Sequence, residues 1–217
     1  MIKIRYNIRN KTVVMNKLYF MCDSPYQKIA NAVATDKTLL ADDMIKELEN
    51  LDEIPFNFTL KNMVFRKNGF IYNDDFSKYE NVWGDCQINS YAWVMVSPRL
   101  RDVIEKNLKG GECFRWIKCN IVHKEEKRIY YTPFFTKMLD VLDMDKCDYA
   151  NRKPSLENLI KPVFSAEKIK NLSMFSCPES IDLWKMPTGF YVTDDMRKAI
   201  KKAGFKGIDF EQAALVE

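Results

Sequence analysis

The stretch Met138–Asp148, "MLDVLDMDKCD", concentrates acid: Asp140, Asp143, Asp145 and Asp148 fall in one short run. Hard divalent cations take several carboxylate oxygens, so a Ca²⁺ or Mg²⁺ bound here would support a metal-assisted hydrolase. The run lacks the glycine and the terminal glutamate of an EF-hand loop, and its spacing fits a helix end passing into a polar turn better. Ser97 follows the apolar run Tyr91–Val96 and opens a helical pattern, which is the setting of a nucleophile elbow. It has no flanking glycines, however, and the single histidine, His123, sits in a charged turn that suits a general base poorly. N-capping fits Ser97 better, with Pro98 at the first helical position, where no N–H is needed.

Other candidate chemistry has equally ordinary readings. Gly110-Gly111 stands at the end of a helical pattern, whereas a phosphate cradle needs glycines between a strand and a helix start. Arg197, Lys198, Lys201, Lys202 and Lys206 form the densest basic run. On a helix this 197–206 face would suit a nucleic-acid-binding module, yet lysines near a helix C-terminus are also expected from the helix dipole. Cys22, Cys86, Cys113, Cys119, Cys147 and Cys177 include no C-x-x-C pair, and one histidine cannot complete a zinc set. They read as reduced, mostly buried thiols of a cytoplasmic protein. No catalytic, cofactor-binding or metal-ligating residue is assigned, no cofactor is expected, and the sequence does not place partner-binding residues. Trp83, Trp93, Trp116 and Trp184 are expected mostly in the core, with one or two left to anchor an interface.

The elements that would position these residues follow from pattern. A chain of 217 residues forms one domain or two small ones. Apolar residues reach 47% without an uninterrupted run of membrane-spanning length, and no secretory signal is expected at the N-terminus. Met15 opens a second start-like stretch, "MNKLYF", and the sequence leaves open whether residues 1–14 are native and needed. Strands are predicted at Ile2–Ile8 and Val13–Cys22, and a helix from Leu40 to Leu51 with Leu40, Met44, Ile45, Leu48 and Leu51 on its apolar face. A hairpin is predicted to turn at Lys67-Asn68-Gly69 and another at His123–Lys127. A strand over Tyr91–Val96, a short helix near Phe135–Leu142, a strand at Ile160–Phe164, one turn at "SAEKIKN" and a strand in "LSMFSC" complete the list.

Two stretches echo each other. "VMVSPRLRDVIEKNLKGGECF" (94–114) and "FYVTDDMRKAIKKAGFKGIDF" (190–210) both run strand, cap, amphipathic helix and glycine stop. Ser97 and Thr193 are the predicted caps, and Ile104 and Ile200 occupy equivalent buried positions. Every shared residue has a structural duty, so the echo reads as folding grammar used twice. Together these elements predict an α+β protein with antiparallel-leaning sheets and three to four amphipathic helices. It would form one compact unit or two packed lobes, with an N-terminal lobe over 1–85 and a second domain over 86–217.

Within Tyr91–Phe210 four phrases occur in a characteristic order: "VMVSPRLRDVIE", "CFRWIKCNIVHKEEKRIYYTPFFTKMLDVLDMDKC", "IKPVFSAEKIKNLSMF" and "FYVTDDMRKAIKKAGFKGIDF". This series resembles the immunity proteins of bacterial polymorphic toxin systems, a large family first described as a domain of unknown function. Cys147 stands where relatives are expected to carry serine, which leaves the subfamily open. The resemblance implies a non-catalytic protein that neutralises a cognate protein toxin by direct stoichiometric binding in the bacterial cytoplasm. It supplies no catalytic residues, and it leaves the oligomeric state open. The rival readings are the nucleic-acid-binding module at 197–206 and the hydrolase at Asp140–Asp148. A net charge of +4, from 34 basic and 30 acidic residues, disfavours a basic nuclease as the toxin unless a local acidic patch overrides it.

Overall fold

Apolar residues alternate with polar ones through much of this chain, and that period of two is realised as fourteen strands among the described residues. The computed structural model describes residues 17–24, 29–36, 40–67, 69–79, 81–150 and 153–217. The predicted strand Ile2–Ile8, residues 1–14 as a whole and the turn residue Asn68 lie outside them. In chain order the strands begin with β1 (Leu18–Asp23), β2 (Asn31–Ala34), β3 (Glu53–Arg66), β4 (Gly69–Asn73), β5 (Cys86–Gln87) and β6 (Met95–Val96). The long hairpin strands β7 (Phe114–His123) and β8 (Glu126–Phe135) follow, then β9 (Asp148–Tyr149), β10 (Leu159–Lys161) and β11 (Val163–Ser165). The last are β12 (Met174–Phe175), β13 (Gly189–Thr193) and β14 (Ile208–Val216). Three α-helices are interspersed: α1 (Ala41–Leu48), α2 (Pro98–Lys106) and α3 (Asp194–Lys202).

The strands form two principal sheets. One has the order β11-β14-β1-β13-β12 and is antiparallel except between β11 and β14. The larger has the order β2-β3-β7-β8-β6-β5, with β4 hairpinned onto β3 and a parallel pair at β3–β7. Strands β9 and β10 make a separate small ribbon. Pairing crosses the sequence midpoint: β1 lies between β13 and β14, and β3 lies beside β7. Three clusters of buried side chains fill the interior, and one of them, around Leu100, Ile104, Met196 and Ile200, holds α2 and α3.

The α+β class with three to four helices, expected from the sequence, is not what the chain forms. Strand accounts for 42% and helix for 17% of the described residues, so the protein is mostly β, with curled sheets and three α-helices. The helix expected near Phe135–Leu142 does not form. Phe135 ends β8 and is buried in one cluster, whereas Val141 and Leu142 are buried in another, with Leu142 bridged to Phe164. Joining the two needs reach, and a helix advances only about 1.5 Å per residue against about 3.3 Å for extended chain. The other departures are also tertiary in origin. Leu40 and Leu51 are exposed at the ends of a shorter α1, while Met44, Ile45 and Leu48 are buried. Only Met95–Val96 of the expected 91–96 strand pairs, because the Asn89 carboxamide accepts from the Tyr91 and Trp93 N–H groups (3.1 and 3.2 Å) and folds the chain there. Pro162 divides the predicted Ile160–Phe164 strand between two sheets, as a residue with no ladder donor should. "LSMFSC" contributes only Met174–Phe175.

The echo is realised as strand, cap position and helix on both occasions, with different caps. The Ser97 hydroxyl accepts from the Leu100 N–H at 3.3 Å. Thr193 holds the cap conformation before α3, but its hydroxyl makes no cap bond and is buried without a partner among the described residues. Gly204, at φ +70°, stops α3 in the left-handed conformation. Helix α2 instead ends at Lys106, ahead of the glycines, and the Glu112 carboxylate accepts from the Lys109 and Gly110 N–H groups at 3.1 and 2.7 Å. No helix among the described residues is long and apolar enough to cross a membrane.

Candidate functional site

A cleft of about 530 Å³ opens beside β8. One wall is the consecutive stretch Lys127–Tyr130, and the opposite wall is the start of α2 at Ser97–Arg99. Asn81, Trp83–Asp85 and Lys206 complete the lining. None of these segments adjoins another in sequence except through the fold.

Local packing fixes each wall. The Trp83 ring stacks on Tyr130, with centroids 6.2 Å apart, and the Arg128 guanidinium lies over the indole at 4.3 Å. The indole N–H donates to Glu126 at 3.2 Å, and the Tyr130 hydroxyl donates to the Gly84 carbonyl at 2.7 Å. Burial pushes the Tyr130 phenol well above the ordinary tyrosine range. Asp85 gathers the remaining segments. Its carboxylate accepts from the Ser97 hydroxyl at 2.9 Å and from the Lys206 N–H at 3.1 Å. The Asp85 and Cys86 N–H groups in turn donate to the Lys206 carbonyl at 2.9 and 3.1 Å. This close approach requires Gly207 next door: φ is +85°, and a Cβ there would lie 2.3 Å from the Cys86 carbonyl oxygen.

The cleft is basic. Arg99, Lys127, Arg128 and Lys206 line it against one carboxylate, Asp85, whose oxygens are already engaged. Arg128 is paired with Glu126 at 2.6 Å, and this pairing holds the Glu126 carboxyl below the usual range. Lys127 and Lys206 enter no ion pair among the described residues. A cleft with these donors attracts carboxylates or other anions and offers an apolar surface at Ile129.

The residues singled out by sequence scatter over the fold. Ser97 reaches the cleft, but His123 is not in its lining and instead meets Phe76 edge-on at 4.7 Å. Asp140 is paired with Lys168 at 2.8 Å and Asp143 with Lys146 at 3.5 Å. Among the described residues no group of three or more His, Cys, Asp or Glu side chains could hold a metal ion. The basic run divides: Arg197 and Lys198 are held by Asp194 at 2.8 and 2.7 Å, while Lys206 turns into the cleft. Trp93 and Trp184 are buried, and Trp116 is half-buried with its indole N–H unpartnered among the described residues. Asp85, Arg99 and Arg128 carry no sequence signal that marks them as site residues, and Lys127 is marked there only as the end of a turn.

The family model described as the immunity protein family Imm11 matches residues 29–215. No curated protein matches the chain.

Proposed function

The chain belongs to the Imm11 immunity protein family, and on that premise we propose that it neutralises a cognate bacterial toxin by direct, stoichiometric and non-catalytic binding. The single observation that carries this reading is the family match, which runs from residue 29 to residue 215 and so includes every wall of the cleft. The toxin is met in the cytoplasm of the cell that makes the protein. Neutralisation by binding requires covering or distorting the toxin's working site, with about 1,600 Å² buried in a stable interface. Aromatic and arginine side chains contribute most at the centre of such contacts. Trp83 with Arg128 stacked on it supplies a preformed pair of this kind.

Coexpression with the toxin domain encoded beside this gene tests the reading. Growth should be restored, and the two proteins should elute together as an equimolar complex. Cells that die with both proteins present, and two proteins that elute separately at micromolar concentration, would end it.

A further inference from the structure

Strands β7 and β8 are joined by a two-residue turn, Lys124-Glu125, with His123 paired to Glu126 and Lys124 at φ +56°. In such a hairpin the pair flanking the turn exchanges both backbone hydrogen bonds, and the pattern recurs at every second residue. Glu126, Arg128 and Tyr130 therefore direct their backbone groups at β7, while Lys127, Ile129 and Tyr131 direct theirs away. Tyr131 is met there by Val96 of β6. The neighbour stops at that point, because Ser97 turns the chain into α2. Lys127 and Ile129 are left with N–H and C=O groups facing the cleft, and no backbone hydrogen bond among the described residues engages them on that side.

We propose that this open edge of β8 is a partner-docking site that takes an extended, acidic segment of the toxin as an added β-strand. That the segment belongs to the toxin rests on the function proposed above; the chemistry of the site rests on the cleft itself. An edge that alternates donors with acceptors matches another peptide backbone, whereas phosphate would use only the donors. Arg99, Lys127, Arg128 and Lys206 around the edge select acidic side chains on the incoming strand. Ile129, 38% exposed, offers it an apolar contact. A second copy of this chain fits badly, since pairing β8 with β8 would set Lys127 and Arg128 of one copy against those of the other.

Two variants and one spectroscopic readout test the inference. Ile129→Pro removes the outward N–H and leaves the β7 ladder complete, and Lys127→Glu with Lys206→Glu reverses the charge without touching the backbone. In the complex with the toxin domain, backbone amide exchange of Lys127 and Ile129 should slow. The charge-reversed variant should bind about 100-fold more weakly while keeping its melting temperature. Unchanged exchange at both amides together with unchanged affinity in that variant would overturn the docking edge while leaving toxin binding intact. If the wild-type protein forms no complex with the toxin domain, the function reading fails, and an alternating Glu-Val decapeptide decides the edge separately. Slowed exchange at Lys127 and Ile129 with that peptide, and none with its Lys-Val counterpart, upholds the site. No slowing at millimolar peptide, or slowing only with a mixed-sequence single-stranded RNA, overturns it.

Discussion

The Ser97 hydroxyl donates to the Asp85 carboxylate at 2.9 Å and accepts from the Leu100 N–H at 3.3 Å, so one oxygen joins the start of α2 to the segment before β5. The Asp85 carboxylate also receives the Lys206 N–H, which ties in the loop after α3. The cap is thus part of the cleft wall. A double-mutant cycle on Ser97→Ala and Asp85→Ala should show a coupling of about 0.5–3 kcal/mol in urea unfolding. Additive single effects would mean that the two side chains act independently.

The two echoed helices should respond differently at their caps and alike in their cores. Ser97→Ala should cost about 0.5–2 kcal/mol. Thr193→Val should cost nothing or stabilise, because the buried Thr193 hydroxyl has no partner to lose. Ile104→Ala and Ile200→Ala, at residues 0% and 1% exposed in one cluster, should each cost about 2–5 kcal/mol. A Thr193→Val penalty as large as that of Ser97→Ala would contradict the hydrogen bonding described.

His123 gives the fold a mild sensitivity to acid. Burial, aided by Lys124, holds its pKa below the ordinary 6.5, against smaller opposing pulls from Glu126 and Asp74. The folded state thus prefers the neutral ring: its contribution to stability is complete above 6.5 and is lost as pH falls through the depressed value. Between about pH 7.5 and 5.5 the melting temperature should fall further in the wild type than in His123→Phe. Because the chain has a single histidine, the comparison is clean. Parallel curves for the two proteins would refute the shift.

The six described cysteines are free thiols. Burial pushes the thiols of Cys22 and Cys177 up to about 11 and about 12, and it holds those of Cys86 and Cys119 well above the usual range. A thiol reagent at about pH 8 should therefore leave Cys86 and Cys119 untouched until the protein unfolds. Denatured, unreduced protein should titrate close to six thiols; a count of two or fewer would point to disulfides instead.

By itself the sequence determined what is local. Alternation marked β7 and β8, the Lys67–Gly69 turn marked the β3–β4 hairpin, and Ser97-Pro98 and Gly204 marked helix boundaries, because each depends on a few neighbouring residues. The ordered phrases also carried the family. Tertiary structure decided the rest. The apolar pattern at 135–142 suits a helix or a strand equally, and only the separation of two core clusters stretches it into a connector. The cleft was illegible for the same reason: Asp85, Ser97, Lys127 and Lys206 converge through long-range pairing and the tight approach at Gly207. The open edge of β8 exists because β6 ends where α2 begins, a relation between segments 30 residues apart that no local spacing records.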